Sequence, residues 1–237
     1  MKTKHLWIGC LMVLFARPAN ADTRAFVWTY EYQTMPAGRV ELETYYTLSA
    51  PDLDTPRGET FTEQQVEIEI GMTDRFDFAV YQVFAQAPEE ALVSEGIKLR
   101  ARYRLGEAGE YPLDPLIYFE YIGGGDLTSQ AIEAKLVLAK TSGPYTASTN
   151  WIIEVEEEEP AEWETKLEYS AGVGYRIERL LTLGLEARGG ADGHYLGPVI
   201  SHGTEKAWVA LGSAVRLMPV EEGEPEFQVR MILGVML

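Results

Sequence analysis

Four positive charges fall on alternate residues between Ile97 and Leu105: Lys98, Arg100, Arg102 and Arg104. In an extended strand successive side chains point to opposite faces, so this spacing gathers the cations on one face and leaves Leu99, Ala101 and Tyr103 on the other. Such a stripe can hold anions, line a passage for ions, or pair with carboxylates. Carboxylates recur with the same period: Glu41 and Glu43 alternate with Val40 and Leu42, and Glu67 and Glu69 with Val66, Ile68 and Ile70. On neighbouring strands these four would form a negative wall. Glu154, Glu168 and Glu186 add acidic positions in alternating segments, and Arg188 and Arg230 add scattered basic ones.

Other chemistries find less material. After residue 21 the histidines are His194 and His202, and Ser201 directly precedes His202, so in a strand the two face opposite sides. Gly172-Val173-Gly174 has no serine for a nucleophile elbow, and no serine, histidine and acid converge as a lipid hydrolase or acyltransferase requires. Cys10 is the single cysteine and lies near the N-terminus, which removes thiol catalysis and cysteine metal sites from the rest of the chain. No cofactor motif or spaced calcium loop is present. The expectation is a protein without catalytic residues, cofactor or metal. The net charge of −17 repels phosphate and argues against a nucleic-acid partner.

The elements that must position these charges begin with a leader. Lys2 and Lys4, the apolar run Leu6–Phe15 and the small residues Ala19-Asn20-Ala21 have the layout of a secretory signal peptide cut before Asp22. The apolar run is about half the length of a membrane-spanning helix, and Cys10 inside it is lost with the leader. Passage through an oxidising compartment suits a mature chain without thiols.

Beyond the leader the sequence alternates with period two almost throughout. Twelve strands are expected, near 39–50, 60–72, 76–86, 95–106, 115–123, 130–140, 145–156, 165–177, 181–189, 195–201, 206–217 and 227–237. Most are longer than the five or six residues usual in soluble sheets, and their length suits tilted strands crossing a bilayer. Tight connections, such as Thr73-Asp74-Arg75 and Thr141–Pro144, alternate with longer ones: Pro51–Glu59, Ala87–Ser94, Gly124–Ser129, Glu157–Glu164, Gly190–His194 and Met218–Glu226. Short turns on one side and longer loops on the other define an all-β, closed, antiparallel up-and-down transmembrane barrel at 39–237, with both ends in the periplasm. Aromatics flank both edges: Phe76, Tyr103, Tyr145, Tyr175 and Trp208 near the turns, and Tyr46, Phe61, Phe84, Tyr121 and Trp163 toward the loops. Residues 22–38 form a lead-in, either a further strand or a periplasmic segment.

The leader, the Pro36-Ala37-Gly38 entry into the first strand, the Thr73–Arg75 hairpin and the final amphipathic strand together resemble a broad group of proteobacterial outer-membrane barrels of porin-like or unassigned transport function. The resemblance covers most of the mature chain through motifs of low specificity. It implies residence in the outer membrane among lipid and lipopolysaccharide, and delivery by the barrel-assembly machinery, which reads the C-terminal strand. That strand departs from the group's pattern by ending on Leu237 rather than an aromatic, although Leu237 keeps the outward register of Phe227, Val229, Met231, Leu233 and Val235.

In a closed barrel the charged faces point inward. Two arrangements compete. Opposed stripes can leave a hydrated charged passage, or the charges can meet as salt bridges and close the lumen. Strand number does not choose between them, because twelve lies between barrels filled by side chains and barrels with an aqueous channel. The loops are strongly acidic, with Arg57 their only basic residue, and concentrate cations; they are also able to hold divalent cations against lipopolysaccharide phosphates. The resulting expectation is passive transport of small hydrophilic, cationic solutes, with a non-conducting structural or surface-interaction barrel as the alternative. A soluble sandwich or binding barrel is disfavoured by continuous apolar faces opposite fully charged ones.

Overall fold

A segment with one apolar and one polar face at period two is stable only where a sheet shields each face appropriately. In the computed structural model, which describes residues 23–53, 59–125, 129–159, 162–204, 206–218 and 224–237, the alternating segments form twelve strands. They are β1 (Val40–Ala50), β2 (Phe61–Thr73), β3 (Phe76–Gln86), β4 (Val93–Arg104), β5 (Asp114–Gly124), β6 (Gln130–Ser142), β7 (Tyr145–Glu159), β8 (Glu162–Glu178), β9 (Leu181–Gly190), β10 (Gly193–Gly203), β11 (Ala207–Arg216) and β12 (Phe227–Met236). The leader at 1–21 lies outside the described residues, as do loop residues Arg57, Glu221 and Glu222.

Every strand pairs antiparallel with its sequence neighbour, and β12 returns to β1 to close the barrel. Tyr45 stands opposite Ile232 in the closing pair and opposite Gln65 on its other side. Closure removes the free edges of an open sheet, so the wall pairs its backbone groups strand to strand without water. Register follows the hydrophobic pattern: a one-residue slip would turn every charge outward.

The outside is apolar. Ile68, Val80, Ile117, Phe119, Leu136, Trp151, Ile153, Leu167, Leu185, Ile200, Leu211 and Leu233 are all exposed, Leu167 to 67 %. A continuous apolar surface of this extent is incompatible with a soluble monomer and matches the lipid-facing band of a membrane barrel. Tyr103, Tyr145 and Tyr175 are exposed at its turn-side edge, and Tyr46, Phe61 and Trp163 at its loop-side edge.

Four features depart from the expectation. β7 and β8 run through the acidic stretch read as a loop, with Glu157 opposite Trp163 and a register shift before Glu159 pairs with Glu162. Solvated glutamates cost a strand little when both backbones are paired, so the hairpin extends past the barrel wall. Between β9 and β10 only Ala191-Asp192 remain as a turn, because Gly190 pairs with Gly193. Trp208 does not join the aromatic belt; it is 2 % exposed and turned into the lumen. There its Nε1 donates to Glu41 Oε1 at 2.6 Å. The indole packs over Gly234, where a Cβ would lie 2.1 Å from Nε1.

The largest departure concerns the lead-in. Residues 23–38 are neither a strand of the wall nor a segment outside the barrel. They form an excursion into the lumen, with Phe26, Val27 and Met35 fully buried. Phe26 and Val27 join Tyr45, Tyr81, Val199, Trp208 and Ile232 in an apolar cluster inside the barrel, and Tyr30 joins Leu116, Tyr118 and Val137 in a second. The interior is therefore partly a packed core, which the polar stripes did not foretell.

Candidate functional site in the lumen

The excursion enters and leaves on the turn side. Thr23, Ala25, Glu31 and Gln33 border a turn-side space of about 940 Å³, whereas Arg24, Val27, Trp28 and Tyr30 border a loop-side cavity of about 330 Å³. The segment thus separates two polar vestibules, with Trp28 facing the loop side. At its exit, Gly38 N–H donates to Gly71 O at 2.8 Å and Gly71 N–H to Arg39 O at 2.9 Å.

Since the segment has no strand partner, its backbone groups must find side chains. Glu186 of β9 accepts three consecutive N–H groups, from Val27 at 2.8 Å, Trp28 at 3.0 Å and Thr29 at 2.8 Å. Successive N–H groups converging on one carboxylate form an anion nest. Asn150 of β7 holds the next residue through both amide atoms, accepting from Tyr30 N–H at 2.7 Å and donating to Tyr30 O at 2.9 Å. Ser148 Oγ donates to the same carbonyl at 2.6 Å, and Asp77 accepts from Met35 N–H at 2.9 Å. Space is made by glycines on the inward face. A Cβ on Gly172 would lie 2.7 Å from the Phe26 ring, and one on Gly212 would lie 2.4 Å from Val27 Cγ2.

Below the loop-side cavity the stripes meet as ion pairs. Arg100 of β4 lies 2.8 Å from Glu67 and 2.6 Å from Glu69 of β2. Arg102 pairs with Glu69 and, at 2.7 Å, with Asp77. All five side chains are buried. Charges removed from water this completely are tolerated only with such partners, and breaking the set by removing one of them costs about 3–5 kcal/mol. Tyr81 and Tyr45 extend the network: Arg100 Nη1 donates to Tyr81 OH at 2.6 Å. Tyr45 OH stands 2.6 Å from Glu43 and 2.8 Å from Glu67, with one proton to serve both, and it accepts from Arg24 Nη1 at 3.1 Å. Arg24 also lies over the Tyr30 ring, 4.4 Å from its centroid, so the segment is part of this network.

The stripe therefore divides. Arg100 and Arg102 sit in the ion-pair core with Glu67, Glu69 and Asp77, while Glu43 and Glu41 hold Tyr45 and Trp208. Arg104, at the turn-side end, donates to the Asp74 carbonyl and lies over the Tyr32 ring. Only Lys98 reaches the loop-side cavity, 3.4 Å from Glu120.

The cavity itself brings together Glu154, Glu168, Arg188 and Arg230, which sequence spacing had left scattered, with Trp28, Tyr195 and Gln228. The Arg188 guanidinium lies over Trp28 and Tyr195, 5.3 and 4.6 Å from the ring centroids, and that of Arg230 over Trp28 at 5.8 Å. The residues that sequence reasoning missed are Trp28, Asn150, Asp77 and the anchoring role of Glu186. One signal was available for the segment's seat: glycine at inward positions of β8 and β11, where an unobstructed lumen has no need of them.

His194 and Ser201 offer no catalytic arrangement. His194 Nδ1 is 3.1 Å from Tyr169 OH, and Ser201 is buried in the lumen while its neighbour His202 is exposed. No cluster of candidate metal ligands occurs among the described residues.

No family model matches the chain, and no curated protein matches it. Solved structures do. An outer-membrane channel from Pseudomonas putida F1 matches with a TM-score of 0.60 at 14 % identity, over 90 % of this chain and all of that one. The KdgM porin in complex with disordered oligogalacturonate matches with a TM-score of 0.58 at 10 % identity, over 83 % of this chain and 97 % of its own. The NanC porin matches at 0.52 and 9 % identity, over 83 % and 98 %. The fold is that of porin-like outer-membrane barrels.

Proposed function

We propose that this chain is an outer-membrane barrel that passes small hydrophilic solutes, cations in preference, through a lumen whose constriction is the N-terminal segment. The observation that carries this reading is the construction of the segment. It is not a strand of the wall, it separates two polar vestibules, and it is anchored through side-chain acceptors and donors rather than a ladder. A purely structural plug needs no vestibule on either side. The acidic rim at the loop side supports cation preference, because it raises the local concentration of cations within about 8 Å at physiological salt. Arg100 and Arg102 do not carry selectivity in this reading, since Glu67, Glu69 and Asp77 already neutralise them. Lys98, Glu120, Glu154 and Glu168, around the cavity, do.

The test is single-channel recording of the refolded barrel in a planar bilayer under a salt gradient. Discrete steps with a cation-shifted reversal potential are expected, and conductance rises several-fold when residues 23–34 are deleted. Gly172→Leu, which collides with Phe26, should raise it in the same direction while leaving the rest of the segment in place. A folded barrel that stays silent in all three forms refutes the reading and leaves a structural or surface-interaction role.

A further inference from the structure

Three charges at the loop-side cavity, Arg188, Glu154 and Glu168, have no ion-pair partner among the described residues. Arg188 has no carboxylate within ion-pair distance among the described residues; its polar contact is Nη2 to Gln228 Oε1. Its Nε is buried and makes no hydrogen bond. Trp28 and Tyr195 lie beside the guanidinium, 5.3 and 4.6 Å from Cζ to the ring centroids, and supply no acceptor for Nε–H, which lies on the edge where a carboxylate docks in two parallel bonds. Arg230 reinforces the need for an anion. It shares the Trp28 ring with Arg188, its Nε donates to Thr47 Oγ1 at 2.9 Å, and its nearest carboxylate oxygen, on Glu63, is 3.6 Å away. Two guanidiniums on one indole repel each other unless an anion joins them.

The complementary deficit lines the same cavity. Glu133 and Glu154 stand directly opposite each other in the β6–β7 pair, a like-charge arrangement that is destabilising without a cation. Lys135 takes Glu133 at 2.9 Å. Neither Glu154 nor Glu168 has a cation within ion-pair distance among the described residues. Ser170 pairs with Arg188 across β8 and β9, which puts Glu168 and Arg188 on one face as diagonal neighbours. Diagonal backbone positions are about 7 Å apart, beyond ion-pair reach but close to the separation of the charged ends of a small zwitterion.

We propose that this cavity binds a small zwitterion of amino-acid or dipeptide size, with its carboxylate on Arg188 and Arg230 over Trp28 and its ammonium on Glu154 and Glu168. The inference rests on the lumen being a solute path and names the solute class. The volume of about 330 Å³ accommodates such a molecule. The carboxylate end meets Arg188 and the ammonium end meets Glu154 and Glu168, whereas a simple cation or anion satisfies one wall only.

Saturation-transfer NMR on the refolded barrel tests this with three probes of similar size: alanyl-alanine, its N-acetyl derivative and its C-terminal amide. Alanyl-alanine is expected to bind, and each singly charged analogue to bind at least about tenfold more weakly, the equivalent of one lost charge-assisted pair. Arg188→Gln should abolish binding of alanyl-alanine. Glu154→Gln with Glu168→Gln should erase its advantage over the acetylated peptide. A mobility shift between unboiled and boiled samples on a sodium dodecyl sulfate gel confirms that each variant is folded. Equal binding of all three probes, or of either analogue and the zwitterion, overturns the proposal. Bilayer recordings of the same preparation separate the two readings: a conducting barrel that binds no probe sinks the zwitterion site alone, and a silent barrel that binds alanyl-alanine sinks the channel and supports the site.

Discussion

The two halves of the lumen use the same residue types to opposite ends. On the turn side, Arg100 and Arg102 are shut between Glu67, Glu69 and Asp77, and the N-terminal segment fills what remains with Phe26, Val27 and Met35. On the loop side, Arg188, Glu154 and Glu168 surround open volume and find no oppositely charged partner among the described residues. Pairing is what distinguishes structure from function here. A buried charge with its partner in place belongs to the fold, and a charge held short of any partner is available to a solute.

That contrast can be broken most severely at the paired end. Arg100→Met strands Glu67 without its cation and leaves Glu69 to Arg102 alone, and should cost about 3–5 kcal/mol, read as a lower urea midpoint of unfolding in detergent. The same substitution at Arg188 should have a far smaller effect on the midpoint, and an equal loss at both positions would dissolve the distinction.

The apolar outer face of the wall supplies the next test. Phe119→Arg places a guanidinium on the apolar face near the middle of β5, where it should cost about 2–4 kcal/mol in refolding into lipid vesicles. A neutral result would mean that this face does not meet the bilayer core.

Where the halves join, Glu186→Gln keeps the shape of the anchor but replaces a charge-assisted acceptor of three N–H groups by a neutral one. The expected loss is about 1–3 kcal/mol of segment docking, seen as faster amide exchange at Val27 to Thr29 with exchange in the β-strands unchanged. Uniform exchange changes across the barrel would show instead that segment and wall unfold together.

The smallest effect belongs to a partly hydrated pair. Lys98→Gln leaves the buried Glu120 with the hydroxyl of Tyr118, which donates to it at 2.7 Å, so stability should fall by about 1–2 kcal/mol. Cation preference in the reversal potential should increase, and a decrease would place Lys98 outside the conducting path.

The strand pattern was legible because period two is a local property. Ile97 to Leu105 alternates whatever its neighbours do, and the apolar face of each strand has one acceptable destination. Hairpin bounds followed from glycine and short polar runs, and failed at Glu157–Glu164, where solvated charge looks like loop composition but does not interrupt backbone pairing. Trp208 was misassigned because belt and lumen positions near a turn differ by one residue of register, and the room for an inward indole is made by a glycine on another strand. The ion pairs were legible in type but not in outcome. Both an open charged passage and a closed salt-bridged core satisfy the same alternation.

By itself the sequence determined a wall: twelve alternating segments, apolar on one face and charged on the other. Such a wall follows from side-chain period and from the need to pair every backbone group in lipid. Only the tertiary structure decided what occupies the interior. Residues 23–38 have no periodicity that names their place; they are held by Glu186, Asn150 and Asp77, which are distant in the chain and converge only once the barrel has closed. The same closure sets Arg188 of β9 against Arg230 of β12 over Trp28, because contact between non-adjacent strands depends on register and strand order, neither of which a local pattern contains.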